Sequence, residues 1–163
     1  MNNTLIIIPV RMASSRLPGK PLIEIKGKSM LLRVWEKASK SKVGDVIVAC
    51  CDKEIKEYLN KKKISYIMTS PYHKSGTDRI FEAYEKLNLK EVEYIINLQG
   101  DEPLIDPKDI INLNDIAINQ SCEIATLACR LDPKNINNKN VVKVVCNENI
   151  ETTKSSLAKK FLI

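Results

Sequence analysis

The sequence predicts an α/β protein: a three-layer sandwich in which a mostly parallel sheet lies between two layers of helices. Apolar runs alternate with helical patterns, these runs are mostly continuous, and 163 residues suit one globular core. The predicted strands are residues 4–8, 45–50, 65–68, 94–98, 123–128 and 141–145. Continuous Val, Ile and Leu runs indicate strands that are buried on both faces.

Helical patterns lie between these strands. Ser29 and Thr77 are predicted N-caps, and each precedes apolar residues at helical spacing. Asp52 begins a third helix that ends in three lysines, and Asp106-Pro107 begins a fourth with proline in its first turn. Strands and helices in alternation favour parallel strands with helices on both faces of the sheet.

The composition is that of an ordinary globular protein, with 44% hydrophobic and 28% charged residues. No segment approaches the roughly 18 apolar residues of a membrane span, and the amino terminus lacks the features of a signal peptide. The five cysteines are odd in number and show no C-x-x-C spacing, which argues against a disulfide framework or a zinc site. We expect a cytoplasmic protein without a membrane partner.

The positive charge is concentrated near the amino terminus. The chain has a net charge of +6, and residues 1–28 contain five basic residues, one acidic residue and no aromatic residue. Nucleic-acid surfaces commonly combine basic groups with aromatic stacking platforms. This distribution therefore favours a small polyphosphate over a nucleic acid.

Three polar segments follow predicted strands, where ligands of parallel α/β sheets bind. In the first, residues 9–21, Arg11, Ser14, Arg16 and Lys20 could surround a triphosphate, although the segment matches neither the P-loop nor the G-x-G-x-x-G pattern. A basic surface loop without a ligand is the alternative.

The second segment, residues 99–103, places Asp101 directly after a strand. One carboxylate combined with substrate phosphates is a common Mg²⁺ environment, and Gly100 allows the tight bend that would aim Asp101. A turn in which the carboxylate only accepts backbone hydrogen bonds is the alternative.

The third segment, residues 69–79, contains the only histidine, His73, so no histidine metal cluster or catalytic triad can form. A lone histidine is usually structural. Ser75, Gly76 and Thr77 form a polar turn at a helix start that could present backbone groups to a nucleobase, and a plain helix cap is the alternative.

In this order the segments "IPVRMASSRLPGKPL", "HKSGTDR" and "NLQGDEP" resemble the 3-deoxy-manno-octulosonate (KDO) cytidylyltransferases, also called CMP-KDO synthetases. The likeness extends from Leu5 to about Glu148. It implies a nucleotide-diphospho-sugar transferase fold and transfer of CMP from CTP to KDO, with release of pyrophosphate, which activates KDO for lipopolysaccharide synthesis. The implied partners are CTP, KDO and a second copy of the chain in a homodimer, with Mg²⁺ as the cofactor.

The resemblance also implies roles for individual residues. Arg11, Arg16 and Lys20 would be catalytic by neutralising phosphate charge, and Asp101 would bind the metal. The implied nucleotide-binding residues are Arg11, Ser14, Arg16, Lys20, Ser75, Gly76 and Gln99.

The family pattern continues well beyond the length of this sequence, and residues 151–163 do not match it. We therefore expect a C-terminally truncated member, with a nucleotide-binding domain at residues 1–150 and a divergent or disordered tail at residues 151–163. The alternative function is that of an inactive nucleotide-binding fragment.

The role implied for Arg16 can be tested by substitution. Arg16→Ala should weaken CTP binding by about 10-fold or more, because a guanidinium–phosphate contact contributes roughly 1.5–3 kcal/mol. Calorimetric titration with CTP measures this effect, and an unchanged affinity would contradict the assignment.

Overall fold

Parallel strands form the centre of residues 1–114 in the computed structural model, which describes residues 3–13, 17–147 and 155–162. The described strands are β1 (Thr4–Pro9), β2 (Glu24–Ile25), β3 (Lys28–Ser29), β4 (Asp45–Cys50), β5 (Tyr66–Met68), β6 (Tyr94–Asn97), β7 (Lys143–Cys146) and β8 (Ala158–Leu162). The described α-helices are α1 (Met30–Ser41), α2 (Lys53–Lys62), α3 (Gly76–Leu87) and α4 (Pro107–Asn119). The described chain divides into two compact units, residues 1–114 and 115–163.

The central sheet of the first unit has the strand order β5-β4-β1-β6, and every pair in it is parallel. Ile6 of β1 lies opposite Val46 on one side and Ile96 on the other. Since parallel strands end at the same edge, the segments that follow β1, β4, β5 and β6 meet there.

Helices cover both faces of this sheet, as the sequence predicts. Successive strand residues point to opposite faces. Ile6 and Ile8 belong to one apolar core with residues of α1, α2 and α4, whereas Leu5 and Ile7 belong to a second core with residues of α3. All four side chains are buried, which explains why the sequence of β1 is apolar without alternation.

The predicted helix starts are confirmed at Ser29 and Pro107. The predicted cap at Thr77 is wrong, because Ser75 caps α3: its hydroxyl accepts from the Asp78 amide, and the Asp78 carboxylate accepts from the Ser75 amide. This reciprocal pair satisfies two amides at the helix end that would otherwise lack partners.

Asp52 stands at the N-cap position of α2, but its carboxylate makes no cap hydrogen bond. It accepts instead from the backbone amide of Met12, over 3.0 Å. The carboxylate therefore anchors the segment that follows β1.

The second unit contains the end of α4, a 3₁₀ turn at Pro133–Asn135 and the antiparallel pair β7–β8. The strand predicted at residues 141–145 is present as β7, but the strand predicted at residues 123–128 is wrong, and Ile124 there is 91% exposed. A strand requires a neighbouring backbone, and no described strand pairs with this segment.

The predicted domain boundary at residue 150 lies outside the described residues. Of the predicted tail, Ala158–Leu162 is described as β8, and its backbone pairs with β7 with an irregular register near Cys146. In the described part of the chain, no helix has the length and apolar character needed to span a membrane.

Gly100 allows the turn after β6 to pass close to the end of β1. A Cβ atom at this position would overlap Cγ1 of Val10 and lie 3.2 Å from the carbonyl oxygen of Pro9. Val10 is 5% exposed and cannot move aside freely. The missing side chain at Gly100 thus sets where Gln99 and Asp101 lie relative to β1.

Gly100→Ala should lower the free energy of unfolding by about 1–3 kcal/mol, because the added methyl group overpacks a buried contact. Urea unfolding measures the change. Gly27→Ala is the control, since its Cβ would meet nothing within 4 Å and only its positive φ of 75° causes strain. Unfolding of Gly100→Ala at the urea concentration that unfolds the unsubstituted chain would contradict the close approach.

Candidate active site

A cavity of about 570 Å³ lies at the carboxyl edge of the central sheet. It is lined by residues that follow β1, β5 and β6, and by the first turn of α3. These residues are Pro9, Val10, Arg11, Ala13, Leu17, Lys20, Pro21, His73, Ser75, Gly76, Arg79, Gln99, Gly100 and Asp101.

Backbone hydrogen bonds fix both ends of the loop that follows β1. The amide of Val10 donates to the carbonyl of Ala49, and the amide of Gly19 donates to the carbonyl of Met12 over 3.0 Å. Gly19 has a φ of 72°, a conformation that glycine adopts without steric cost. The described ends of the loop, including exposed Arg11, are therefore anchored beside the cavity.

Lys20 and Asp101 form an ion pair across the cavity, although 81 positions separate them in sequence. The ammonium Nζ lies 2.5 Å from Oδ2 of Asp101, and the two side chains are 31% and 47% exposed. A pair this exposed contributes only about 0–1 kcal/mol to stability. Both charged groups consequently remain accessible to a ligand.

The first turn of α3 forms another part of the cavity wall. Ser75 and Gly76 both line the cavity, and a Cβ at Gly76 would lie 3.2 Å from Cγ of Pro9 and 3.6 Å from Oε1 of Gln99. The side-chain amide of Gln99 donates to Oδ1 of Asn97 over 2.6 Å. Glycine at position 76 therefore lets the helix start approach the end of β1 closely.

His73 is oriented by an acidic residue of α3. Its Nε2 contacts Oε2 of Glu82, which also accepts from the amide of Ser70, while Oε1 of Glu82 accepts from Nζ of Lys86 at 2.7 Å. Lys86, the Ser70 amide and His73 together lower the pKa of Glu82 from 4.5 to about 2. The ionised carboxylate fixes one imidazole nitrogen while the ring lines the cavity.

Arg79 contributes a buried guanidinium to the same cavity. The residue is only 2% exposed, and its Nη1 donates to Oγ1 of Thr69 over 2.5 Å. Among the described residues, the cavity lining therefore includes the cations Arg11, Lys20 and Arg79 and one carboxylate, that of Asp101.

The structure brings together six of the site residues predicted from the sequence, and the other two, Ser14 and Arg16, lie outside the described residues. The six are Arg11, Lys20, Ser75, Gly76, Gln99 and Asp101. Sequence reasoning missed His73 and Arg79 as cavity residues. Both belong to the "HKSGTDR" segment, and the signal that could have identified Arg79 is its place beside Ile80 and Ala83 on the buried face of α3.

Fold and cavity together define a parallel α/β protein with a predominantly cationic cavity at the carboxyl ends of its strands. The family model described as "Cytidylyltransferase" matches residues 5–159. The chain therefore belongs to the cytidylyltransferase family.

Curated relatives show which members of the family this chain is similar to. The chain is 44% identical over 146 residues to the 3-deoxy-manno-octulosonate cytidylyltransferase of Polynucleobacter asymbioticus, covering 88% of this chain and 57% of that protein. It is 47% identical over 142 residues to the enzyme of the same name from Idiomarina loihiensis, covering 86% and 56%. The chain thus spans a little over half the length of these relatives.

Solved structures agree with this similarity. A CMP:2-keto-3-deoxy-manno-octonic acid synthetase complexed with CTP superposes with a TM-score of 0.84 and 37% identity, covering 97% of this chain and 63% of that one. A cytidylyltransferase from Leptospira borgpetersenii has a TM-score of 0.62 and 27% identity, covering 72% and 49%. These matches confirm the predicted fold class as the nucleotidyltransferase type.

The role of Glu82 leads to a test of acid stability. Because its pKa is lower in the folded chain than the ordinary 4.5, Glu82 stabilises the fold above pH 4.5, and this stabilisation is lost as the pH falls toward 2. Glu82→Gln should lower the unfolding free energy at pH 7 by about 1 kcal/mol and flatten its decline between pH 4.5 and 2. Thermal unfolding across this range, with exposed Glu85→Gln on the same helix as control, measures the effect. Equal pH profiles for the two variants would contradict it.

Proposed function

We propose that this chain binds CTP at the cavity and contributes to transfer of CMP from CTP to KDO, with release of pyrophosphate. The observation that carries the proposal is the Lys20–Asp101 pair, which sets a phosphate-binding cation beside a potential metal ligand at the carboxyl edge of the sheet. The names of the curated relatives and of the CTP-bound neighbour support the choice of substrates.

The triphosphate would bind on the side of the cavity near β1 and β6. Arg11 is exposed there, and Lys20 offers three ammonium donors, of which Asp101 occupies one. The proposal also includes Arg16 and Ser14 among the phosphate-binding residues, and only the sequence pattern supports these two. Charge-assisted hydrogen bonds of this kind bind phosphate oxygens strongly.

The nucleoside would bind against the first turn of α3. Gly76 lies so close to Pro9 and Gln99 that a Cβ would crowd the Pro9 ring, and the wall they form is suited to a flat ring or a ribose. Ser75 already caps α3 through its hydroxyl, so the backbone groups of this turn are the proposed ligand contacts.

Asp101 fits the requirements of a Mg²⁺ ligand. Its carboxylate lines the cavity, is about half exposed and uses Oδ2 for Lys20, which leaves Oδ1 for a metal. The described residues contain no cluster of three metal-ligating side chains, and Mg²⁺ is often held by one or two carboxylates together with substrate phosphates. When bound, Mg²⁺ would supply stabilisation of the negative charge on the phosphates.

The chain's own contribution to the reaction is positioning and charge neutralisation. The anomeric hydroxyl oxygen of KDO forms a bond to the α-phosphorus and loses its proton to solvent, and the bond from that phosphorus to the pyrophosphate oxygen breaks. Arg11, Arg16 and Lys20 would stabilise the charge that develops on the departing pyrophosphate. No protein nucleophile is needed, which agrees with the absence of a Ser-His or Cys-His arrangement in the sequence.

We also place this reaction in the cytoplasm, supported by the five cysteines, all of which are free thiols. Lipopolysaccharide synthesis as the destination of the product, and pairing with a second copy of the chain, stay predictions.

Titration of the purified chain with CTP, with and without Mg²⁺, tests the proposal, together with pyrophosphate release in the presence and absence of KDO. We expect Mg²⁺-dependent CTP binding and pyrophosphate that appears only with KDO. Asp101→Asn should abolish the Mg²⁺ dependence, and Lys20→Met should weaken CTP binding about 10-fold.

The matched control is Lys28→Met, because the Lys28–Glu36 pair has similar exposure and distance but lies outside the cavity. It should leave CTP binding unchanged. CTP binding without pyrophosphate release would identify a nucleotide-binding fragment. Salt-sensitive oligonucleotide binding without preference for CTP would indicate a nucleic-acid binder.

A further inference from the structure

His73 is the described cavity residue whose side-chain type is most sensitive to pH. It lines the cavity and is the only histidine of the chain. Imidazole is the side-chain group whose charge ordinarily changes between about pH 5 and 8, whereas Arg, Lys and Asp side chains ordinarily titrate outside this range. A change of pH near neutrality is therefore expected to change the charge of this wall through His73.

Hydrogen bonding fixes one nitrogen of this ring. Nε2 of His73 contacts Oε2 of Glu82, which also accepts from the amide of Ser70 over 2.8 Å. An ionised carboxylate only accepts, so Nε2 carries a hydrogen in the neutral ring as well as in the charged one. Within the described ranges no hydrogen bond involves Nδ1, and the side chain is 21% exposed. The proton that changes the charge of the ring is therefore the one on Nδ1.

Glu82 does not cancel a positive charge on the ring, because it is already paired. Its Oε1 accepts from Nζ of Lys86 at 2.7 Å, and its pKa of about 2 keeps the carboxylate ionised throughout the neutral range. The ion pair of Glu82 and Lys86 has no net charge. A protonated His73 consequently adds one net positive charge beside the cavity, whereas the neutral ring adds none.

The other charged groups around His73 favour an anionic ligand. Cations outnumber carboxylates in the described lining, where the loop after β1, the helix α3 and the turn after β6 contribute Arg11, Lys20, Arg79 and Asp101. The charged neighbours in sequence, Lys74 and Asp78, are exposed and lie outside that lining. One further positive charge within about 10 Å of several phosphate charges strengthens binding by roughly 3- to 10-fold in an open site.

We propose that His73 is a further nucleotide-binding residue, and that its protonated ring strengthens the binding of CTP as the pH falls. This inference rests on the proposed function, because it takes an anionic nucleotide as the ligand of the cavity. The affinity is highest where the ring is charged and lowest where it is neutral. Because coupling between two ligands is reciprocal, CTP must also favour protonation of the ring, so that binding takes up protons from the buffer.

Calorimetric titration with CTP at pH 5.5, 7 and 8.5 measures the dependence. Excess Mg²⁺ is present, because it competes with protons for the phosphates and so suppresses protonation of CTP itself. The affinity should be about 3- to 10-fold higher at pH 5.5 than at pH 8.5. Buffers of different ionisation enthalpy measure the proton uptake. An affinity that is constant or falls toward low pH would overturn the inference.

His73→Gln assigns the effect to the imidazole ring. The glutamine amide can still donate to Glu82 but does not titrate. The ratio of the CTP affinities at pH 5.5 and 8.5 should fall to about one. Lys74→Gln is the matched control, because Lys74 is the next residue, is exposed and lies outside the described lining. Any change that it causes should be the same at both pH values. Equal pH profiles for His73→Gln and the unsubstituted chain would overturn the inference.

An NMR titration tests the same coupling without any variant, so it decides the question even where His73→Gln is unstable. His73 is the only histidine, and its ring protons therefore give a single titrating set of signals in the chain without a histidine tag. Saturating CTP should move the midpoint of this titration upward by about 0.5–1 pH unit, which corresponds to the expected affinity ratio. An unmoved midpoint in the CTP complex would overturn only this inference. Absence of CTP binding at every pH would overturn the proposed function and this inference with it.

Discussion

The cavity depends on one constraint, the burial of β1 on both faces between parallel neighbours. Backbone hydrogen bonds join β1 to β4 and β6, and helices cover it above and below. Its apolar residues fix the register, because a slip by one residue would exchange the two cores. The loop after β1 and the turn after β6 consequently begin at defined points on the same edge. Gly100 then allows these two segments to approach each other.

Charge is distributed unevenly across the cavity. The exposed pair of Lys20 and Asp101 contributes little to stability and keeps its charges available. The buried guanidinium of Arg79 donates to the hydroxyl of Thr69 and lies beside the thiol of Cys51. The cavity is therefore better suited to an anionic ligand than to an apolar one.

The comparisons with known proteins cover nearly the whole described chain but only part of its relatives, whereas the cavity lies within one unit of the chain. The family model covers nearly the whole described chain, and the CTP-bound neighbour superposes over 97% of it. The curated relatives are nearly twice as long as the aligned part. Residues 1–114 contain every described residue that lines the cavity, so this unit provides the described surface on which the proposed nucleotide binding depends.

Much of the fold could be predicted from local pattern. The continuous apolar runs at β1 and β4 predicted buried parallel strands, and Ser29 and Pro107 marked helix starts, because these features depend on neighbours in sequence. The apolar segment at residues 123–128 was misjudged for the same reason: its composition favours a strand, but strand formation depends on a partner that local sequence does not specify. The sequence placed the cap of α3 at Thr77, and only the reciprocal hydrogen bonds of Ser75 and Asp78 in the structure identified Ser75 as the cap.

By itself, the sequence determined the α/β class, the cationic loop and the resemblance of three short segments to one family, since each of these is encoded in contiguous residues. Only the tertiary structure decided that Lys20 meets Asp101, that Glu82 orients His73 and that Arg79 is buried in the lining of the cavity. The physical reason is that ion pairing, burial and desolvation depend on distances between residues far apart in the chain, which the packing of helices on the parallel sheet establishes.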